Sequence, residues 1–400
     1  MEDNTFTEYS DGRNLQQSRL KDYGHGGKIR SSVKRGRIDL PFCVLTIVIL
    51  AIGVIMVLSA SFARSYYTTG NPVYYFARQM LFAVSGVALM LIVSRIKVST
   101  FRRFAYPLLA VSLLLLAAVP FVGVSEGDVT RWISLGFTTF QPSEITKLAE
   151  VLAFAAMICT YKDKMKTFRY GVLPFAVIVA VIVGLLYMEP HLSAAVIIFA
   201  IAVLMMFAGG TRMGWFALLG GVVLVLGILT LTRFGYASDR IAAWRNPEDD
   251  PMNKGFQILQ SLYAIGSGGL TGLGLGQGRQ KYLYLPAEHN DYIFAIVCEE
   301  LGFIGAMLIL VLFALLIIRG FWIALHAKDR YSSLVATGLT GLLAIQVFLN
   351  IAVVTNLIPC TGISLPFFSY GGTALWIQLV EMGIILAISR EIPETKEEET

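Results

Sequence analysis

The sequence predicts an all-α polytopic integral membrane protein with about ten transmembrane helices. The chain has 400 residues, of which 56% are hydrophobic and only 15% are charged, whereas a soluble domain carries about 25% charged residues. Apolar runs of about 20 residues, enough to cross a bilayer of about 30 Å, recur along nearly the whole chain. These runs exceed the length of a barrel strand, and a chain in lipid must satisfy its backbone internally, so helices are expected.

The apolar runs divide the chain into three regions. A basic tail covers residues 1–38, a transmembrane domain covers 39–390, and an acidic tail covers 391–400. The predicted spans are 39–61, 74–96, 104–124, 142–161, 170–188, 191–209, 214–233, 292–318, 332–354 and 366–389. The one extramembrane stretch of any size covers about 234–290, between the seventh and eighth spans. The first 38 residues lack the apolar core of a cleavable signal peptide.

Basic residues predict the orientation of these spans. Lysines and arginines concentrate in the tail and in alternate connections, such as 95–103 and 162–169, whereas the opposite connections hold few. Because positive loops face the cytoplasm, both termini are expected there, and the basic tail is a topology signal rather than a nucleic-acid site. The four cysteines are scattered without metal-ligand spacing.

Ionisable groups in or beside the spans cluster at the outer end. Such groups are costly in a membrane and mark functional or paired positions. The ionisable candidates are Arg78, Glu144, Lys147, Glu189, His191 and Asp291, and the neutral amides Gln346 and Asn350 lie at the same end. Glu144 and Lys147 are three residues apart and therefore share a helix face. Each candidate also has a structural interpretation: the acid–base pair could simply join helices, Arg78 could snorkel to the interface, and Asp291 could be only a helix cap.

The segment before Asp291 is rich in glycine. Its first part, from Gly255, is amphipathic and could lie along the membrane interface. The glycine series from Gly266 to Gly278 lacks the Lys-Ser/Thr ending of nucleotide sites, so we expect these glycines to allow close backbone packing. Glu299 and Glu300 are expected to pair or cap within the bundle.

Together these segments resemble the SEDS family, which comprises FtsW, RodA and SpoVE, and lie nearer its FtsW/SpoVE branch. The matching stretches cover about 40–390 and are Arg131–Ile133, Gln141–Lys147, Met188–His191, Gly255–Gly278 with Gln257 and Gln260, Arg279–Lys281, Leu285–Pro286, His289–Phe294, Glu299–Gly302, and Thr361–Thr373 with Ser369. The acid that usually follows the proline of the Asp291 motif has moved to Glu288, to which no role is carried over.

The resemblance implies a peptidoglycan glycosyltransferase that polymerises lipid II at the outer face of the bacterial cytoplasmic membrane. Asp291 would be the general base. Lys147, Arg78, Arg131 and His289 would bind the pyrophosphate or sugar, with Glu144 holding Lys147. Further candidate cavity residues are Glu189, His191, Gln260, Gln346, Asn350 and Ser369. The sequence demands no cofactor, although a divalent cation such as Mg²⁺ or Mn²⁺ could share the charge. The expected partners are a class B penicillin-binding protein and other divisome or elongasome membrane proteins.

Two other functions fit the same pattern. A lipid II flippase would use the cations as headgroup handles, but it would need essential polar groups at the midplane and inner half of the bundle. A non-catalytic scaffold for the penicillin-binding protein would tolerate loss of the Asp291 carboxylate.

Overall fold

Long apolar helices make up most of the chain in the computed structural model, which describes residues 36–126, 129–136, 138–189, 191–221, 241–253 and 255–392. The helices are α1 (Leu40–Thr69), α2 (Tyr74–Val93), α3 (Val98–Val122), α4 (Pro142–Tyr161), α5 (Phe168–Gly171), α6 (Leu173–Met188), α7 (Leu192–Ala208), α8 (Phe256–Gly268), α9 (Ile293–Leu325), α10 (Arg330–Val354) and α11 (Gly372–Ser389). Residues 213–221 and 241–245 are also helical. Within the described ranges, seven helical segments are long and apolar enough to cross a membrane, which confirms a multi-pass, mostly helical membrane protein.

Each predicted span contains helical residues. The span 214–233 begins in helical residues 213–221 and continues beyond the described residues. Helix α4 matches its predicted span, although it carries three ionisable residues. Helix α7 is somewhat short, with 17 residues.

The last predicted span, 366–389, is wrong at its start, because α11 begins at Gly372. Residues before it run as a non-helical segment in which Phe367 has a φ of 65°. Side chains and a neighbouring loop satisfy the backbone there instead of a helical ladder. The Phe367 amide donates to Gln378 Oε1 at 3.1 Å, and the Tyr370 amide donates to the His289 carbonyl at 2.9 Å.

A small sheet between α3 and α4 is an addition to the otherwise helical fold, which agrees with the all-α expectation. Its three antiparallel strands are β1 (Val124–Glu126), β2 (Val129–Ser134) and β3 (Thr139–Phe140), in the order β1-β2-β3. The sheet places Arg131 and Trp132 above the start of α4. Such short strands between apolar helices leave no long periodic pattern in a sequence.

The first and last spans begin and end at the same end of the bundle. The Asp39 amide donates to Ser389 Oγ at 3.1 Å, and Arg319, near the end of α9, pairs with the Asp39 carboxylate at 2.7 Å. The part of α9 that follows Gly302, residues 303–325, is alone about 35 Å long. Asp291, just before α9, consequently lies at the opposite end of the bundle.

Helix α9 is interrupted at Gly302, which corrects the single continuous span predicted for 292–318. Gly302 has a φ of 66° and a ψ of −170°, a conformation that favours glycine. The glycine-rich loop after α8 enters the break. The amides of Leu273 and Gly274 donate to the carbonyls of Glu299 and Glu300 at 3.0 Å each. Backbone groups released by the break are thus satisfied by the loop, as burial requires.

The glycines of this loop allow the close packing expected from the sequence. A Cβ atom at Gly268 would collide with the Cys298 carbonyl, and one at Gly272 would collide with the Glu300 carbonyl. Helix α8 is not confined to the membrane interface, because it packs into the bundle. There Ser261 Oγ donates to the Val354 carbonyl at 2.8 Å.

Glu299 and Glu300 hold the end of the same loop, as the sequence predicted. The Glu300 carboxylate accepts hydrogen bonds from Ser59 Oγ and from Lys281 Nζ, each at 2.7 Å. The Glu299 carboxylate accepts from the Arg279 amide at 2.8 Å. These buried acids therefore fix the segment that leads towards Asp291.

Replacement of Glu300 by Gln is expected to destabilise the fold, because the Lys281 side chain, 3% exposed, would keep an uncompensated charge. Removing one partner of a buried pair costs about 3–5 kcal/mol. Thermal unfolding in detergent micelles measures the effect, and the Lys281→Met/Glu300→Gln double variant should recover part of it. The exposed Glu248→Gln is the matched control. Equal unfolding temperatures for Glu300→Gln and this control would contradict the prediction.

Candidate functional site

A cavity of about 630 Å³ lies at the Asp291 end of the bundle. The starts of α2, α4 and α7, strand β2, the loop before α9, helix α10 and the segment leading into α11 all contribute to its wall. The sequence-predicted residues that line it are Arg78, Arg131, Glu144, Lys147, His191, His289, Asp291, Gln346 and Ser369. The fold thus brings two acids, several cations and several neutral polar groups from distant parts of the chain into one cavity.

Asp291 is held through its backbone. Asn350 Nδ2 donates both to the Asp291 carbonyl and to the Ile363 carbonyl, at 2.7 Å each. The Asp291 carboxylate itself forms no hydrogen bond or ion pair with another described residue. Burial raises its pKa to about 6, against the opposing positive charges of Arg131 and His289. A carboxylate with such a pKa and no partner is suited to accept a proton near neutral pH.

Lys147 and Glu144 form an ion pair of 2.8 Å on the first turns of α4. Pro142 occupies the start of the helix, where its fixed φ and missing amide are tolerated. The spacing of three residues then places both side chains on the face that lines the cavity. Both side chains are almost completely buried, so the ammonium group is held in a site where water screens it little.

Arg78 and Arg131 add two guanidinium groups to the wall. Arg78 Nη1 donates to the Tyr74 hydroxyl at 2.8 Å, and the guanidinium lies over the Tyr74 ring. Arg131 Nε donates to the Glu189 carbonyl at 3.4 Å. Together with Lys147 they make a positive region suited to an anion such as a phosphate ester.

Glu189 and His191 flank the turn between α6 and α7. Burial raises the pKa of Glu189 to about 8, only partly offset by Arg131. Glu189 is buried beside the cavity and does not line it. Burial, followed by the charges of Arg131 and Lys147, lowers the pKa of His191 to about 3. His191 is therefore a neutral wall residue, with its Nε2 3.5 Å from Gln141 Nε2.

His289 lines the cavity beside Asp291 and contacts Glu288. Its Nδ1 lies 3.5 Å from Glu288 Oε1. Glu288 also pairs with Arg64, with Nε–Oε1 and Nη2–Oε2 distances of 2.6 and 2.9 Å. Although burial raises the pKa of Glu288, the contacts with His289 and Arg64 outweigh it and keep the pKa below its ordinary value. Glu288 is therefore ionised at neutral pH.

The remaining candidates are divided between the wall and its support. Gln346 and Ser369 line the cavity, and Ser369 Oγ donates to the Asn290 carbonyl at 2.8 Å. Asn350 lies behind the wall and positions Asp291. Gln260 lies on α8 and outside the cavity lining.

Several residues of the site were not predicted from the sequence. Tyr75, Trp132 and Gln378 also line the cavity. Glu150 and Glu381 are buried in α4 and α11, and Glu381 is close enough to Lys147 and Glu144 for electrostatic interaction. An acid within an apolar run was the signal that could have indicated both. Among the described residues there is no cluster of three or more His, Cys, Asp or Glu that could hold a metal ion.

Comparison with known sequences identifies the family. The model of the FtsW/RodA/SpoVE family, described as cell cycle proteins, matches residues 40–394. Stage V sporulation protein E of Bacillus subtilis is 42% identical over 362 residues, which cover 90% of this chain and 99% of that protein. A probable peptidoglycan glycosyltransferase FtsW of Geobacter sulfurreducens is 38% identical over 358 residues, 89% of this chain and 96% of that protein. These names agree with the predicted branch.

Solved structures share the fold over nearly the whole chain. A structure described as the structural coordination of polymerization and crosslinking by a peptidoglycan synthase complex contains a chain that matches with a TM-score of 0.74 and 28% identity, over 90% of this chain and 99% of that one. The rod shape determining protein RodA of Thermus thermophilus matches with a TM-score of 0.66 and 27% identity, over 90% and 98% of the two chains. This chain therefore belongs to the FtsW/RodA/SpoVE family of cell cycle proteins.

Proposed function

We propose that this chain is a peptidoglycan glycosyltransferase that polymerises lipid II into glycan strands, with Asp291 as the general base. One observation carries the assignment of the site: a carboxylate without an ion-pair partner shares a cavity with Lys147, Arg78 and Arg131. The activity is supported by relatives that are named as FtsW glycosyltransferases and are 38–39% identical over most of the chain. The role is in division, shape or sporulation.

The reaction transfers a glycan from a lipid pyrophosphate to a sugar hydroxyl. Asp291 accepts the hydroxyl proton as the oxygen attacks the anomeric carbon. The new C–O bond forms while the bond from that carbon to the pyrophosphate oxygen breaks, and undecaprenyl pyrophosphate leaves with the electron pair. A positioned base contributes about 10²–10⁴-fold to such a step. The raised pKa of Asp291 makes it a better proton acceptor than an exposed aspartate.

The cations of the cavity stabilise the departing pyrophosphate. Lys147 and the two arginines donate charge-assisted hydrogen bonds to its oxygens, and Glu144 keeps the Lys147 ammonium in place. A divalent cation such as Mg²⁺ or Mn²⁺ would share this work by entering with the pyrophosphate. Asp291 and Glu144 are the carboxylates of the cavity lining that would hold it.

The orientation follows from the charges of the loops. We place the cavity at the outer face of the bacterial cytoplasmic membrane, with ten spans and both termini in the cytoplasm. The contact between the start of α1 and the end of α11 supports an even number of crossings. A class B penicillin-binding protein would crosslink the product, and the match to a chain of a peptidoglycan synthase complex supports such a partner. Other divisome or elongasome membrane proteins would complete the assembly.

Asp291→Asn is expected to lower glycan polymerisation by about 10²–10⁴-fold, because the amide cannot accept the hydroxyl proton. The assay adds lipid II to the purified chain with its penicillin-binding partner and measures glycan chain formation. Asp163→Asn, at an exposed site near the other end of α4, is the matched control. Equal polymer from Asp291→Asn and wild type would exclude the base role and favour the scaffold. No polymer from wild type with any partner would favour the flippase.

The rate should rise with pH and level off above about 6, because Asp291 has a pKa raised to about 6 and accepts a proton only when ionised. The pH profile of kcat/KM measures this pKa in the free enzyme. Since the Arg131 charge lowers the pKa of Asp291, Arg131→Gln should move the acidic limb to higher pH. An acidic limb near pH 4, or one that Arg131→Gln leaves unmoved, would contradict the prediction.

Lys147→Gln is expected to lower both stability and activity, because Glu144 would remain as an uncompensated buried carboxylate. The Glu144→Gln/Lys147→Gln double variant should recover stability but remain about 10- to 100-fold less active, since a hydrogen bond to a charged group is worth about 1.5–3 kcal/mol. Unfolding temperature and polymerisation rate are measured together. Lys162→Gln, at the exposed end of the same helix, is the control. Full activity in the double variant would exclude Lys147 from pyrophosphate binding.

A further inference from the structure

Arg64, Glu288 and His289 form a chain of charged and polar groups that the mechanism above does not use. The Arg64 guanidinium meets the Glu288 carboxylate in a two-point contact, at 2.6 and 2.9 Å. The Glu288 side chain is 0% exposed, whereas that of Arg64 is 31% exposed. A fully buried carboxylate therefore connects an arginine near the surface of α1 to the loop that carries Asp291.

The imidazole of His289 is fixed on several sides. Its Nδ1 lies 3.5 Å from Glu288 Oε1, and its ring centroid lies 5.1 Å from that of Tyr75 and 5.8 Å from that of Tyr370. The His289 carbonyl accepts a hydrogen bond from the Tyr370 amide at 2.9 Å. Both the backbone and the ring are thus held in one orientation.

That orientation presents His289 to the reacting region. His289 and Asp291 line the same cavity, and the two groups interact electrostatically. Nδ1 is buried 3.5 Å from Glu288 Oε1 and forms no hydrogen bond with a described residue, so Nε2 is the ring nitrogen that we assign to the cavity. Glu288 contacts His289 from the same loop, and Arg64 on α1 pairs with Glu288. The rings of Tyr75 on α2 and Tyr370 before α11 pack against the His289 ring. The positive charge of Arg131 on β2 lowers the pKa of Asp291.

We propose that Arg64 and Glu288 are positioning residues that hold His289 so that its imidazole carries the proton of each reaction cycle away from Asp291. The proposal rests on the proposed glycosyltransferase function and deepens it. A buried carboxylate beside Nδ1 of an imidazole favours the tautomer that carries its proton there and stabilises the imidazolium ion when Nε2 takes a proton. Glu288 lies beside Nδ1 of His289, and His289 shares the cavity with Asp291.

The proton balance is complete within this arrangement. Asp291 takes one proton from the attacking hydroxyl when the glycosidic bond forms and undecaprenyl pyrophosphate leaves. That proton passes from Asp291 to Nε2 of His289, and the imidazolium ion releases it to water in the cavity. Asp291 is again ionised for the next sugar, and no oxidant or further reactant is needed.

The first test replaces Glu288 by Gln, which keeps the shape of the side chain and removes its charge. Loss of a residue that orients a catalytic group costs about 10- to 100-fold, so kcat for lipid II polymerisation should fall by this factor while KM stays within about twofold. Glu288→Asp should recover part of kcat. The exposed Glu248→Gln is the matched control. If Glu288→Gln unfolds at a lower temperature, the Arg64→Gln/Glu288→Gln double variant removes both charges and is assayed in its place.

The second test uses chemical rescue. His289→Ala should lose about 10- to 100-fold of kcat, and imidazole added to the buffer should restore part of it in a concentration-dependent way, because a free base can take the proton from Asp291. A residue that only supports the fold would show no rescue. Asp291→Asn should stay inactive with or without imidazole.

The outcomes separate this inference from the function on which it rests. Wild-type kcat in the Glu288 variants, or no response of His289→Ala to imidazole, would overturn the proton-carrier role while Asp291→Asn remained inactive. Activity in Asp291→Asn would instead overturn the assignment of the base. A loss in Glu288→Gln that appears wholly in KM would assign Glu288 to substrate binding and also overturn the proposal.

Discussion

The cost of placing ionised groups in a bundle of apolar helices is the constraint on which the rest of this structure depends. Such a group must find a partner or lose its charge. Outside the cavity, the buried Glu300 pairs with Lys281 and the buried Glu288 with Arg64, and Asp39 pairs with Arg319. Of the two acids that line the cavity among the described residues, Glu144 pairs with Lys147, and Asp291 has no ion-pair partner. That difference is the basis of the role proposed for Asp291.

Backbone polar groups that leave the helices are also satisfied by hydrogen bonds. Helix α9 stops and restarts at Gly302, and the amides of Leu273 and Gly274 satisfy the carbonyls released by the break. The segment before α11 forgoes helical hydrogen bonds and uses Gln378 and His289 instead. Irregular backbone at membrane depth is tolerated only where protein or a cavity surrounds it. Gly302 is accordingly buried in protein, and the segment before α11 lines the cavity.

The positive charge and the carboxylate that the proposed reaction uses lie on separate elements of the cavity wall. Lys147, with Glu144 as its counterion, lies on α4, whereas Asp291 lies on the loop before α9 and is anchored by Asn350. A base and an anion-binding region on different elements can act on opposite ends of one substrate bond without neutralising each other. Burial raises the pKa of Glu189 and lowers that of His191. Both side chains are therefore neutral near neutral pH and add no further charge beside the base and the anion-binding region.

The sequence by itself determined the membrane class, the places of most helices and the identity of the main ionisable groups, because apolar length and misplaced charge are local properties. It also determined that Glu144 and Lys147 would pair, since residues three apart share a helix face. Only the tertiary structure decided which distant groups meet. It paired Glu288 with Arg64, which is far away in the sequence. It placed Gln260 outside the cavity and Ser369 in the cavity wall. It also made the first residues of the last predicted span non-helical, so that the helix begins only at Gly372. Those outcomes depend on contacts between elements far apart in sequence, and no local pattern encodes them.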